Sequence, residues 1–343
     1  MFKKNQFGAL LRGLATRPWA LPTLCSDREA TVLVESQFKA HVARDPESII
    51  AEWWARPALA ADASANAFTI DVEDYFQVEA FFGVIDRKNW DGYERRVEAN
   101  IDRILEILSE TGARATFFTL GWIAERHPRI IRQIVEMGHE LASHGSDHYR
   151  ADGQTRAEFF SDVKRAKVVL EQLGRCEVKG YRAPSFSVSR DNLWAMESLV
   201  EAGYSYSSST YPIVHDNYGI PEGPRFPFYP LRDHNFLEIP VASIRIFGRN
   251  WPCGGGGYFR LLPYALSEMA LARVNREGKS CVFYVHPWEL DPNQPRITAA
   301  PLKSRVRHYM NLDKVQPRLV RLLRSFKWRR MDEIFLPQAK CAS

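Results

Sequence analysis

Cysteine is scarce in this chain and follows no recognisable pattern. Among 343 residues there are five cysteines, Cys25, Cys176, Cys253, Cys281 and Cys341. No two of them form a C-x-x-C pair. An odd number of scattered cysteines argues against a disulfide scaffold and against a zinc site made of thiolates. Any metal site must therefore use histidine and carboxylate side chains.

Long apolar runs are also missing. No segment approaches the roughly 18 residues that span a bilayer, and Arg12 and Arg17 interrupt the apolar residues after the N-terminus. We therefore expect no transmembrane segment, no signal peptide and a cytoplasmic protein. The basic residues between Lys303 and Arg330 leave peripheral contact with the inner membrane as an alternative. The net charge is only +5 and the basic residues alternate with acids, so no nucleic-acid partner is expected.

Regular periodicity begins only near residue 67. Residues 1–66 have weak periodicity and end in a stretch rich in Ala, Asp, Ser and Asn. We therefore predict that they form an N-terminal extension, either ordered or flexible. Residues 67–336 are predicted to form one catalytic domain and residues 337–343 a tail. Between them, short apolar runs alternate with helical stretches, which indicates a parallel sheet with helices outside. About seven such units favour an α/β fold, a distorted (β/α)7-type barrel.

Two histidines, His144 and His148, stand four residues apart just after a short apolar run. Neutral imidazoles at this spacing can bind one divalent metal, but a catalytic zinc needs three protein ligands and an open position for water. Upstream, an apolar segment runs into Asp71, Glu73 and Asp74. Because barrel strands bring such groups into a shared site at their carboxyl ends, we predict that one acid binds metal and another acts as a base.

These motifs and two later ones resemble the polysaccharide deacetylases of the NodB-homology type, carbohydrate esterase family four. The motifs follow the family's order, as Asp71 to Asp74, His144 to His148, Arg182 to Phe186 and Tyr284 to Trp288. Three further strings resemble the branch found with bacterial exopolysaccharide and exosortase loci: Ile70 to Phe76, Gly255 to Pro263 and His286 to Glu289. The resemblance covers residues 67–336 and implies the barrel fold and deacetylase chemistry of that family.

The resemblance also assigns roles to individual side chains. It implies that Asp71 is the general base, that Arg182 pairs with and orients this base, and that His286 is the general acid. The cofactor is expected to be zinc or another divalent metal, bound by His144, His148 and one carboxylate.

The third metal ligand has two candidates. Strand alternation puts Asp71 and Glu73 on one face, which favours Glu73. A turn at this point would instead bring Asp74 inward, and Asp74 is preferred because aspartate is the family's usual ligand.

Two departures from the family's pattern stand out. Gly145 separates His144 from the small hydroxyl residue that follows it directly in the family. The family's Asp/Trp motif between the arginine and the late histidine is missing, and residues 206–209 are its nearest counterpart. The second departure leaves His286 without an identified orienting group.

Three residues beside the motifs are candidate substrate contacts, namely Tyr75, Pro184 and Trp288. The predicted function is metal-dependent N-deacetylation of amino sugars in a bacterial exopolysaccharide or its lipid-linked oligosaccharide precursor, and the oligomeric state stays open. One alternative is a peptidoglycan or small cyclic amide hydrolase on the same fold. The other is a carbohydrate-binding protein whose metal site is degenerate.

Overall fold

The computed structural model describes residues 56–58, 65–231 and 233–336. Its strands are β1 Arg56–Pro57, β2 Asn66–Val72, β3 Thr116–Thr119, β4 Glu140–Ser143, β5 Gly180–Tyr181, β6 Tyr206–Ser207, β7 Phe228–Tyr229, β8 Leu237–Glu238, β9 Ser243–Ile246, β10 Arg249–Pro252, β11 Val282–Val285 and β12 Trp328–Arg329. Its α-helices are α1 Val97–Thr111, α2 Gly121–Arg126, α3 Pro128–Glu136, α4 Arg156–Gly174, α5 Trp194–Glu201, α6 Gly257–Leu261, α7 Tyr264–Arg276, α8 Leu302–Tyr309, α9 Val315–Ser325 and α10 Met331–Phe335.

A mostly parallel sheet forms the centre of the fold. On one side of β2 the order is β3, β4, β5, β6 and β8, all parallel, and on the other side β11 pairs with β2. β12 also pairs with the start of β2. Beyond β8, β7 and β1 add antiparallel strands. β9 and β10 form a separate antiparallel hairpin.

The segment after β8 reaches the other end of this sheet. The backbone N–H of Ala242 donates to the carbonyl of Val282 over 3.1 Å, and Gly255 forms a parallel bridge with Tyr284 of β11. Gly255 has φ of 109°, and a Cβ there would lie 2.1 Å from the carbonyl oxygen of Tyr284, so this approach requires glycine. The predicted α/β fold with a distorted (β/α)7-type barrel is confirmed as a curled, mostly parallel sheet.

The helices that connect the parallel strands follow from their sequence pattern. In α1 the apolar residues of one face are buried and Gly112 ends the helix in the left-handed conformation, with φ of 67°. Pro128 stands in the first turn of α3. Thr155 and Glu158 form the predicted capping box at the start of α4. These helices cover the outside of the sheet and leave its carboxyl edge for polar side chains.

Only the end of the predicted N-terminal extension belongs to the described residues. Arg56–Pro57 pairs with Phe228–Tyr229. Asn66 begins β2, and its side-chain oxygen accepts a hydrogen bond from the backbone N–H of Cys281 over 2.8 Å. Residues 1–55 and 59–64 of the extension and the predicted tail, residues 337–343, lie outside the described residues. Independent folding of the barrel therefore stays a prediction, and a truncation that tests it should retain Asn66.

In the part of the chain that the structure describes, every helix is too short or too polar to cross a bilayer.

Candidate active site

The predicted site residues converge at the carboxyl edge of the parallel sheet. Asp71 lies near the end of β2, His144 directly follows β4, Arg182 follows β5 and His286 follows β11. All four side chains are buried or nearly so. Because parallel strands present their carboxyl ends on one side, four distant segments of the sequence contribute to one site.

Glu73, His144 and His148 form a cluster whose potential ligand atoms all lie within 4.8 Å of one another. Nε2 of His148 is 2.7 Å from Oε2 of Glu73. Nδ1 of His144 is 2.8 Å from the carbonyl oxygen of Arg182, to which it can donate. That hydrogen bond would leave Nε2 of His144 unprotonated, as metal-binding imidazoles commonly are arranged.

The protonation of this cluster suits a divalent metal. Burial lowers the pKa of His144 to about 4, so its imidazole is neutral at neutral pH. Burial raises the pKa of Glu73, but the charge and close contact of His148 and the charges of His286 and His144 outweigh it, and the pKa falls to about 2.

Two polar atoms of the cluster are buried without an aligned hydrogen-bond partner, Oε2 of Glu73 and Nδ1 of His148. Such atoms are rare in folded proteins and call for a partner. Two imidazoles and one carboxylate are a common donor set for catalytic zinc, so the residues present fit a zinc ion or a similar divalent metal.

The structure places Asp74 away from this cluster, which contradicts the preference for Asp74 as the third ligand. Its carboxylate accepts hydrogen bonds from three backbone N–H groups, those of Tyr75, Arg96 and Val97, over 2.9, 2.7 and 3.0 Å. Arg96 and Val97 begin α1, so Asp74 satisfies the start of that helix. Strand alternation beyond Val72 turns Glu73 towards the histidines and Asp74 to the other side.

The loop that carries both histidines has an unusual backbone. Gly145 has φ of 78° and His148 has φ of 55°. A Cβ at Gly145 would lie 2.8 Å from Oδ2 of Asp162, whose carboxylate accepts from the backbone N–H of Ser146. The inserted glycine is therefore needed for this loop to follow its path.

Arg87 holds the end of the same loop. Its guanidinium donates to the carbonyl oxygens of Asp147 and His148, each over 2.8 Å, and lies over the ring of Tyr149 at 4.1 Å from the centroid. A left-handed conformation at a histidine is unfavourable, and these contacts fix it. Tyr149 is 44% exposed, which makes it an accessible aromatic side chain directly beside a candidate metal ligand.

Asp71 and Arg182 form the predicted ion pair. Oδ1 of Asp71 is 2.6 Å from Nη1 of Arg182. The guanidinium is fully buried and also donates to the hydroxyl of Thr69 and to the carbonyl and hydroxyl oxygens of Ser208. Four acceptors around one planar group fix its position, and through it the position of the Asp71 carboxylate.

His286 is oriented by an acid that the sequence analysis missed. Nδ1 of His286 is 2.6 Å from Oε1 of Glu289, and the other carboxylate oxygen of Glu289 is 2.8 Å from Nε of Arg260. Glu289 and Arg260 are buried. Burial lowers the pKa of His286, but the hydrogen bond to Glu289 and the charges of Glu73, Glu289 and Asp71 outweigh it and raise the pKa to about 9.

The signal for this arrangement was present in the sequence. Glu289 stands three residues after His286, at the spacing of a helix cap, and its Oε1 also accepts a hydrogen bond from the backbone N–H of His286 over 3.1 Å. Arg260 belongs to the glycine-rich string that resembles the exopolysaccharide branch. Two of the three strings that resemble that branch therefore contribute to the support of His286.

The three predicted substrate contacts are all buried, so none of them can offer a face to a sugar. Tyr75 is 1% exposed and packs edge-on against Phe76. Pro184 is buried after β5. Trp288 lies parallel to the ring of His308 with 4.1 Å between centroids, and its indole N–H donates to Oε1 of Glu73 over 3.1 Å. Trp288 thus orients a candidate metal ligand.

Comparison with known proteins agrees with this geometry. Residues 90–206 match the family model described as polysaccharide deacetylase, and residues 208–336 match a model described as a domain of unknown function, DUF3473. The first match contains the histidine pair and Arg182. The second contains His286, Glu289 and Arg260 and is compatible with the exopolysaccharide-associated branch.

Relatives of known activity match over short segments. A peptidoglycan-N-acetylglucosamine deacetylase of Bacillus cereus is 29% identical over 102 residues, which are 30% of this chain and 46% of the relative. A chitooligosaccharide deacetylase of Azorhizobium caulinodans is 37% identical over 82 residues, 24% of this chain and 39% of the relative. The matched segments therefore span less than half of the length of these relatives.

The fold is similar to that of a crystal structure from Mycobacterium smegmatis, of a protein assigned as a polysaccharide deacetylase. The TM-score is 0.52 at 18% identity, and the alignment covers 80% of this chain and 91% of the other. Fold and site together define a barrel with a two-histidine, one-carboxylate cluster at the carboxyl edge of its sheet. Residues 90–206 carry a polysaccharide deacetylase domain, and the solved structure agrees with the barrel fold around it.

Proposed function

We propose that this chain is a metal-dependent hydrolase that removes N-acetyl groups from the amino sugars of a bacterial exopolysaccharide. One observation carries the proposal: the Glu73–His144–His148 cluster shares the sheet edge with a carboxylate fixed by Arg182 and with a histidine fixed by Glu289. Nε2 of this histidine lies 3.6 Å from Oε1 of Glu73. Metal donors, a base and an acid at one edge are the groups that hydrolysis of an acetamide needs.

Each group has a position that suits its role. Glu73, His144 and His148 would hold a zinc ion, which when bound supplies a Lewis acid for the acetyl carbonyl and for water. Asp71, held by Arg182, would accept the proton of the attacking water. His286 has a pKa of about 9 and is therefore protonated at neutral pH, so it can donate a proton to the departing amine.

The substrate class rests on the relatives and on the branch-specific strings. The relatives in Bacillus cereus and Azorhizobium caulinodans are named for acetylated amino-sugar substrates. The DUF3473 match covers the Arg260–Glu289 support of His286, which favours the exopolysaccharide branch. We propose the polymer itself as the substrate in preference to a lipid-linked oligosaccharide.

Peptidoglycan is the second candidate substrate, because peptidoglycan deacetylases are among the matched relatives. A carbohydrate-binding protein with a degenerate site is disfavoured, since donor, base and acid groups are all in place at the sheet edge.

Acetate release by the purified, zinc-loaded full chain tests the proposal. We expect acetate from acetylated exopolysaccharide or its oligomers, loss of this activity with a chelator, and its return when zinc is added. Release from peptidoglycan alone would select the second candidate. A chain that binds zinc and these glycans but releases no acetate from any of them would contradict the hydrolase assignment.

Replacing Glu289 with glutamine should lower kcat by about tenfold to a hundredfold without loss of metal, because the neutral amide no longer supplies the charge that orients His286 and keeps it protonated. His286 would then have a pKa below about 9, so activity should begin to decline at a lower alkaline pH than in the wild type. Rate profiles against pH and metal content provide the measurement.

The matched control for this change is Glu268→Gln. Glu268 lies on α7, is partly exposed and forms an ion pair with Arg321. The control variant should alter neither kcat nor the pH profile. If Glu289→Gln has wild-type kcat and an unshifted profile, Glu289 does not orient the acid.

A further inference from the structure

The hairpin of β9 and β10 ends in an exposed aromatic side chain. Phe247 is 85% exposed, more than any other large apolar side chain among the described residues. Ile246 pairs with Arg249, so Phe247 and Gly248 alone form the turn, with φ of 51° and 76°. Turns of this kind favour Asn-Gly, and a bulky first residue is unfavourable. Neither packing nor turn geometry accounts for phenylalanine here.

Basic side chains flank this ring. Arg245 and Arg249 are exposed, and residues 243–252 contain no acid. In the hairpin register Arg249 lies opposite Ile246, and Arg245 lies opposite Asn250. Because successive pairs of a hairpin face opposite sides, the two arginines lie on opposite faces of the tip. The aromatic ring thus projects from between two cations.

The neighbouring helix α7 continues this surface. The guanidinium of Arg273 donates to the carbonyl oxygen of Arg245 over 3.4 Å, which places the helix beside the hairpin. Residues at three- and four-residue spacing form its exposed face, namely Leu266, Met269, Arg273 and Arg276. The acid on this helix, Glu268, is paired with Arg321. The surface is therefore apolar and cationic together.

We propose that the β9–β10 tip binds an anionic lipid bilayer, with Phe247 in the interfacial region and Arg245 and Arg249 on the headgroups. Phenylalanine is among the apolar side chains that peripheral proteins bury at the boundary between headgroups and acyl chains, and each basic residue near an anionic surface adds attraction. The ring stands on a convex tip, whereas ligand sites for sugars are concave. Two copies of the tip would bring four arginines together, which disfavours self-association through it.

Co-sedimentation of the full chain with vesicles tests the proposal. We expect binding to vesicles of equal parts phosphatidylcholine and phosphatidylglycerol, weak binding to phosphatidylcholine alone, and loss of binding at high salt. Phe247→Asn should abolish binding while the melting temperature stays equal or rises, because Asn-Gly suits the turn. Arg245→Gln and Arg249→Gln should each weaken binding about fivefold.

Matched controls distinguish binding by the tip from non-specific hydrophobic or electrostatic binding. Leu302→Ser removes an apolar side chain that is 71% exposed on α8, and Arg132→Gln removes an exposed cation on α3. Both should bind vesicles as the wild type does. Equal losses in these controls would overturn the assignment.

Binding of a different ligand to this surface would give different results. Binding to dextran sulfate that depends on the arginines but not on Phe247, without vesicle binding, would indicate an anionic polymer and overturn the lipid proposal. A dimer that Phe247→Asn converts to a monomer would do the same. Acetate release from a soluble substrate should be unchanged in Phe247→Asn, so failure here is distinct from failure of the proposed hydrolase function.

Discussion

Replacing Glu73 with glutamine should weaken zinc binding by at least about a hundredfold and abolish detectable acetate release, whereas Asp74→Asn should leave zinc affinity near the wild-type value. The reason is positional: Glu73 lies 2.7 Å from His148 in the donor cluster, and Asp74 accepts three backbone hydrogen bonds at the start of α1. Loss of a direct ligand should exceed the roughly tenfold to hundredfold loss typical of groups that only orient ligands. Zinc titration and elemental analysis of both variants provide the measurement.

Asp74→Asn serves as the matched control, because it neutralises the adjacent carboxylate. It should lower the free energy of unfolding by about 1–2 kcal/mol, because an amide has one acceptor oxygen where the carboxylate has two. If Asp74→Asn loses the metal and Glu73→Gln retains it, the cluster assigned here is not the metal site.

Replacing Asp71 with asparagine should lower kcat by about 10²- to 10⁴-fold while zinc stays bound. Asparagine cannot accept the proton of the attacking water, and the three metal donors are unchanged. The variant also leaves the buried guanidinium of Arg182 without its carboxylate, which typically costs about 3–5 kcal/mol. Turnover must therefore be measured below the melting temperature of the variant.

A substitution in a second ion pair serves as the control for the loss of stability. Asp332→Asn removes a carboxylate on α10 that is 2.8 Å from the guanidinium of Arg330, just after β12. It should lower the melting temperature without lowering kcat. Loss of zinc from Asp71→Asn would make Asp71 a ligand and refute its role as the base.

The architecture was predictable because it depends on patterns that recur along the chain. Apolar runs alternating with amphipathic stretches specify strands and helices, and glycine and capping residues at 112 and 155–158 specify where helices begin and end. The backbone bridge between Gly255 and Tyr284 of β11 was not predictable in this way. It depends on a close approach between two backbones that have no periodic signal in either segment.

The structure groups Glu73, and not Asp74, with the two histidines, against the preference drawn from family resemblance. Preference for aspartate ignored a constraint of the chain itself, since the start of α1 needs a hydrogen-bond acceptor and Asp74 supplies it. Strand alternation, which is a local rule, favoured Glu73. The aromatic candidates failed for a related reason: a ring beside a motif is more easily buried than exposed, and Trp288 uses its indole N–H on Glu73.

Arg182 joins the two halves of the site through different parts of one residue. Its backbone carbonyl lies 2.8 Å from the imidazole of His144, and its guanidinium lies 2.6 Å from the carboxylate of Asp71. A displacement of the chain after β5 would therefore disturb the base and a metal donor together. A remote substitution that shifts this strand should lower metal affinity and turnover at the same time, without touching either group directly.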